Sequence, residues 1–151
     1  MNILTPEKAV QAIQSGDHIF IHTAAAAPQQ LVTALTARYR ELENVTLYHL
    51  HTEGAVPYMN PAYEKSFTTR VFFSAKNSRK AIEQGQANYI PVFLSEIPQL
   101  FHNRIIRLDV AMIQVSPPDR HGYCSLGVSV DATGASESID RDCSSGSQGA
   151  A

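Results

Sequence analysis

The sequence predicts an α/β domain built on a mainly parallel sheet flanked by helices. Segments with strand character and segments with helical periodicity alternate along most of the chain. The apolar run 108–115 is bounded by Arg107 and by Ser116-Pro117-Pro118, as expected of a strand buried on both faces. A length of 151 residues, 44% of them hydrophobic, suits one domain with a substantial core.

Each element has a local reason. Thr5 caps a first helix with Pro6 at its first position, and Gly16 closes it. Residues 17–22 (DHIFIH) are a short β-rich run suited to a strand. After Thr23 and four alanines, Pro28 opens a second helix with Leu31, Val32, Leu35 and Tyr39 at helical spacing. Asn44 breaks it, and 45–50 forms the second strand. A loop over 53–66 carries Gly54, Pro57 and Pro61, and a strand follows at 70–73. Asn77 caps a helix that runs to Gln84 and ends at Gly85. Residues 89–93 suit a strand, 95–103 a short helix with Pro98 in its first turn, and 108–115 the buried strand. The domain is placed at 1–133. Residues 134–151 (GASESIDRDCSSGSQGAA) hold Ile139 as their one large aliphatic side chain, too little apolar surface to offset the entropy of ordering. That tail is expected to be disordered or aberrant.

Charge and hydropathy exclude several classes. Twelve Lys and Arg against fourteen Asp and Glu give a net charge of −2, with an isoelectric point near 6.3. Such a balance supplies no basic field for nucleic acid and no polybasic patch for a membrane. Mean hydropathy is −0.15, and no apolar run approaches the roughly eighteen residues of a spanning helix. Glu7 and Lys8 stand where a signal peptide would carry its apolar stretch, so a cytoplasmic protein is expected. Cys124 and Cys143 form no CxxC pair, and nothing points to an oxidising compartment.

Several side chains invite a chemical reading, each beside a plainer one. A helix opening at Pro28 leaves the amides of Gln29 and Gln30 free to meet an anion, yet without a glycine-rich fingerprint a simple βα connection explains the segment. His49 and His51 share one face of a strand, and adding His22 or the pair His121 and Cys124 would build a zinc site; no HExxH or CxxC supports that, and no metal is expected. Cys124 with His121 suggests a thiol and its base, against a buried, inert cysteine in a turn. Ser116 has no assignable partner. Lys76, Arg79 and Lys80 would suit phosphates but read equally as a solvated helix face. Glu53 and Gly54 follow the second strand at its carboxyl end, where ligands of open α/β sheets bind.

The runs 47–58 (LYHLHTEGAVPY), 77–85 (NSRKAIEQG), 89–91 with 93–98, and 108–127 (LDVAMIQVSPPDRHGYCSLG) resemble the acetyl-CoA hydrolase/transferase family. The likeness covers residues 1 to about 133 and matches the amino-terminal half of 4-hydroxybutyrate or acetate CoA-transferases. It implies a CoA-transferase-like fold and the transfer of coenzyme A from an acyl-CoA to a small carboxylate. In the family a glutamate attacks the thioester carbonyl, giving an acyl-glutamyl anhydride and then a glutamyl-CoA thioester that the acceptor acid discharges. Backbone amides stabilise each oxyanion, and water as acceptor gives hydrolysis.

That nucleophile lies in the family's carboxyl-terminal half, so the resemblance assigns no catalytic residue to this chain. It implies instead that Glu53, Gly54 and the turn Ser116, Pro117, Pro118, Asp119, His121 and Gly122 line the CoA-thioester crevice. The prolines would fix that turn, and Asp119 and His121 would offer polar contacts. Glu53 as a substitute nucleophile is the weaker alternative. Coenzyme A is expected as a substrate thioester, with no tightly bound cofactor. The chain is expected to be a truncated or frameshifted portion, inactive alone, with a homo-oligomer or a complementary carboxyl-terminal half as partner. A stand-alone CoA-binding module is the alternative, and a histidine-bound zinc hydrolase ranks last.

Overall fold

The structure, a computed structural model, describes residues 4–130, Ala132 and the backbone of Arg141–Ser145. Its centre is a parallel sheet of six strands: β1 (His18–Ile21), β2 (Val45–His49), β3 (Phe67–Val71), β4 (Ala87–Tyr89), β5 (Val110–Gln114) and β6 (Arg141–Ser145). Their order across the sheet is β4-β3-β2-β1-β5-β6. The chain thus builds outward from β1 to β4, then returns to pair β5 with the free side of β1. The helices are α1 (Pro6–Ala9), α2 (Gln29–Ala37), α3 (Lys76–Glu83) and α4 (Ile97–His102).

The alternation of side chains along each strand makes two cores. Ile19, Ile21, Val45, Leu47, Val110 and Met112 pack with Leu31, Val32 and Leu35 of α2 and Ala81 of α3. On the other face Phe20, Tyr48 and Phe72 meet Ile97 and Phe101 of α4. The Phe20 and Phe101 rings meet edge-on at 5.6 Å between centroids. Helices on both faces are what buries strands this apolar.

Most elements sit where the sequence places them, and the differences have local causes. Thr5 caps α1, accepting from the Lys8 amide. The helix proper ends at Ala9 and tightens into a 3₁₀ turn, Val10–Ala12, well before Gly16. Pro28 stands at the N-cap of α2 rather than inside it. Asn77 lies within α3 and does not cap it; the Ala75 amide donates to Ser78 Oγ instead. The β3 strand starts at Phe67, three residues before the predicted start. Polar Thr68 and Arg70 interleave with inward Phe67, Thr69 and Val71, so the segment lacks an apolar run. The β4 strand likewise begins at Ala87, paired to Thr69, ahead of the predicted 89–93.

The β6 strand falls inside 134–151, where composition predicts no order. Its backbone pairs with β5 from Val110↔Arg141 to Gln114↔Ser145, so ladder pairing orders a stretch whose composition offers no apolar run. The rest of that segment lies outside the described residues.

Candidate functional site

Strand order reverses at β1, which has β2 on one side and β5 on the other. Parallel strands that diverge into connections on opposite sides leave a crevice outside their carboxyl ends. Three connections meet there: 22–28 after β1, 50–54 after β2 and 115–130 after β5.

The first two are joined to each other. The Ala24 amide donates to the His51 carbonyl at 2.9 Å, and the Glu53 amide donates to the Ala24 carbonyl at 3.2 Å, forming a bridge between Ala24 and Thr52. Ala24 holds a left-handed backbone, φ 52°, that costs a residue with a Cβ on the order of 1 kcal/mol. Two helices hold the turn from outside. Gln29 Nε2, at the start of α2, donates to the Glu53 carbonyl at 2.8 Å. Asn77 Nδ2, in the first turn of α3, donates to the Thr52 carbonyl at 2.7 Å. Gly54 is left-handed at φ 92°, and a Cβ there would sit 3.0 Å from Gln29 Cδ and Nε2, so only glycine seats against that amide. The Glu53 side chain is exposed at the carboxyl ends of the strands, as the sequence places it.

The third connection is an excursion closed on itself. The Ser116 amide donates to the Ser125 carbonyl at 2.9 Å, and Ser116 Oγ accepts from the Ser125 amide at 2.9 Å, so Ser116 has the partner that the sequence did not reveal. Asp119 Oδ1 accepts from the amides of His121 and Tyr123 at 2.8 and 2.9 Å. That carboxylate organises the turn, an Asx geometry that Gly122 completes. His121 Nε2 accepts from Arg120 Nε at 3.0 Å. Pro117, Pro118, Asp119, His121 and Gly122 are all exposed. Both turns lie at the same end of the sheet with β1 between them.

Two of the histidines, His22 and His49, are packed inside the fold. His22 is fully buried: Nε2 donates to the Ser129 carbonyl at 2.5 Å, and Nδ1 accepts from the Gln114 amide at 3.1 Å. It ties the end of β1 to β5 and to the far end of the 115–130 connection. His49 is also fully buried, with Nε2 3.1 Å from the Tyr58 hydroxyl. Burial, and then the charge of His51, lower its pKa from 6.5 to about 4. Among the described residues no three His, Cys, Asp or Glu side chains gather as a metal site would require, so the zinc constellation does not form from His22, His49, His51, His121 and Cys124. Cys124 is exposed and unpaired, which corrects the expectation of a buried thiol. No helix among the described residues is long and apolar enough to cross a membrane.

Sequence reasoning missed the side chains of Gln29 and Asn77, having read the first for its backbone amide and the second as a cap. The available signal was an amide residue in the first turn of a helix that follows a parallel strand. Such a helix start lies at the carboxyl end of the sheet, within reach of the neighbouring turn.

The chain is similar in sequence and fold to known proteins. The model of the acetyl-CoA hydrolase/transferase N-terminal domain matches residues 1–140. A succinyl-CoA:acetate/propanoyl-CoA:succinate CoA transferase of Fasciola hepatica is 46% identical over 123 residues, 80% of this chain and 25% of that protein. A 4-hydroxybutyrate coenzyme A transferase of Clostridium kluyveri is 35% identical over 131 residues, 87% of this chain and 30% of that protein. Among solved structures, RipA from Yersinia pestis superposes with a TM-score of 0.84 at 29% identity, covering 93% of this chain and 35% of RipA. The 4-hydroxybutyrate CoA-transferase of Porphyromonas gingivalis gives 0.67 at 29% identity, covering 88% of this chain and 30% of that one. The chain thus spans about a quarter to a third of the relatives it matches. With a family model matched across nearly all the described residues and a sheet that superposes on solved members, the chain belongs to the acetyl-CoA hydrolase/transferase family, whose N-terminal domain it carries.

Proposed function

We propose that this chain serves acyl-CoA:carboxylate CoA transfer as the amino-terminal wall of the CoA-thioester crevice. Glu53, Gly54 and the turn from Ser116 to Gly122 line it, and the nucleophilic glutamate comes from the carboxyl-terminal half that the family resemblance implies. The supporting observation is the reversal of strand order at β1, with both turns following carboxyl ends of strands, where open parallel sheets take their ligands. The chemistry needed from such a wall is positioning: backbone held rigid beside the thioester, with polar groups facing the acyl-CoA and acceptor acid. In this reading the substrates are a CoA thioester and a small carboxylate, and Glu53 contributes a polar wall rather than a covalent intermediate.

Amide hydrogen exchange of the chain with and without acetyl-CoA tests the reading. Slowed exchange at 52–55 and 116–123, with the sheet unchanged, is the expected result. Unchanged exchange in both turns at saturating acetyl-CoA sinks it. Should a preparation show CoA transfer, Glu53→Gln separates the roles: retained transfer supports a lining residue, and loss of a glutamyl-CoA adduct would make Glu53 the nucleophile.

A further inference from the structure

Gln29 and Asn77 grip successive carbonyls of one turn, Glu53 and Thr52, from two different helices. Folding gains little from the Gln29 bond. Its acceptor, the Glu53 carbonyl, is exposed and water would satisfy it nearly as well, whereas Thr52 is buried and its carbonyl depends on Asn77. What the pair changes is the freedom of the turn. With the Glu53 amide on the Ala24 carbonyl and Thr52 Oγ1 donating to the Glu53 carbonyl at 3.3 Å, four bonds fix two peptide units beside an exposed carboxylate. Two independent features show that the sequence accommodates this seat at some cost. Ala24 accepts a left-handed backbone to offer its carbonyl, and Gly54 lacks the Cβ that would strike the Gln29 amide.

We propose that Gln29 and Asn77 are positioning residues that clamp the Thr52-Glu53-Gly54 turn in the geometry that meets the CoA thioester. The inference rests on the reading that this turn lines the crevice. The two side chains act through the turn and need not touch the substrate. Removing either donor leaves the fold in place and lets the turn sample other backbone conformations, so the binding-competent fraction falls and the apparent affinity falls with it.

The test is a titration of the ¹⁵N-labelled chain with acetyl-CoA, following the Gly54 and Ala55 amide resonances, for the native protein and for Gln29→Met and Asn77→Leu. Both substitutions keep bulk and remove the donor; Gln29→Glu is the closer-shaped substitute if Gln29→Met does not fold. The expected result is a saturable shift in the native chain, about fivefold weaker binding in each variant as one lost hydrogen bond would give, a thermal midpoint near native for Gln29→Met and a lower one for Asn77→Leu, which leaves the carbonyl of buried Thr52 unpaired. If the native chain shifts and the variants titrate with the same affinity, the clamp is overturned and the crevice reading stands. If acetyl-CoA leaves the native Gly54 and Ala55 resonances unmoved, the crevice reading falls and takes the clamp's role with it. Lower midpoints with unaltered affinity would show a merely structural pair and also overturn the proposal.

Discussion

The His49 imidazole and the Tyr58 hydroxyl meet 3.1 Å apart at the carboxyl end of β2, both inside the core. Burial raises the Tyr58 pKa well above its ordinary value, so the phenol keeps its proton. Burial first, and His51 second, bring His49 down to about 4, so the imidazole is neutral. The consistent assignment has Tyr58 donating to Nε2 and the ring proton on Nδ1, which has no partner among the described residues. The pair pins the 3₁₀ turn Pro57–Met59 beneath the loop that carries Glu53.

His49 therefore sets an acid limb of stability. Its folded pKa lies below the unfolded 6.5, so the unfolded chain binds the extra proton between pH 6.5 and about 4. Stability is full above pH 6.5 and falls as pH drops through that window. At pH 5 this group alone removes about 2 kcal/mol relative to pH 7.5. Urea unfolding at the two pH values should show that loss, and His49→Gln should flatten most of it. An unaltered slope in the variant would assign the limb to other groups.

Ala24 at φ 52° is a strained residue with a Cβ. Ala24→Gly relieves on the order of 1–2 kcal/mol of left-handed strain and gives back part of it through a freer unfolded chain. A net gain of about 0.5–1 kcal/mol in denaturant unfolding is expected. Ala25→Gly, where φ is not positive, should lower stability instead.

Gly54→Ala meets two obstacles at once, a left-handed backbone and a Cβ 3.0 Å from the Gln29 amide. The side chain of Gln29 must move, releasing the Glu53 carbonyl. A loss of about 1–3 kcal/mol is expected. The Gln29 side-chain amide resonances should shift toward those of a solvent-exposed glutamine, which a substitution harmless to the seat would not produce.

Asp119 holds its turn through the amides of His121 and Tyr123. Asp119→Ala should speed exchange of those two amides while costing about 1 kcal/mol or less globally, because the turn is exposed and stands outside both cores. Protection equal to native at both amides would show that the prolines alone set the turn.

Much of the sheet was legible because its strands carry their own signal. Residues 18–21, 45–49 and 110–114 are apolar or β-branched enough to declare themselves, and Thr5 and Gly85 mark boundaries by local backbone chemistry, whereas α2 ends at Ala37, well before the Asn44 expected to break it. The β3 strand was misplaced because Thr68 and Arg70 hide an inward face of Phe67, Thr69 and Val71. Glu53, Gly54 and the 116–122 turn could be singled out from strand ends and motif likeness. Gln29 and Asn77 could not, because their partners lie 24 and 25 residues away in sequence.

By itself the sequence determined the class of the domain, the order of most elements and the family, since periodicity, capping and motif are properties of short stretches. Tertiary structure alone decided which strand flanks β1, that Asp119 serves its own turn, and that His22 bonds Ser129 rather than a metal. It also decided that two helix starts converge on the turn beside Glu53. Those outcomes depend on hydrogen bonds between segments far apart in the chain, whose geometry exists only once the sheet has set their distance and direction.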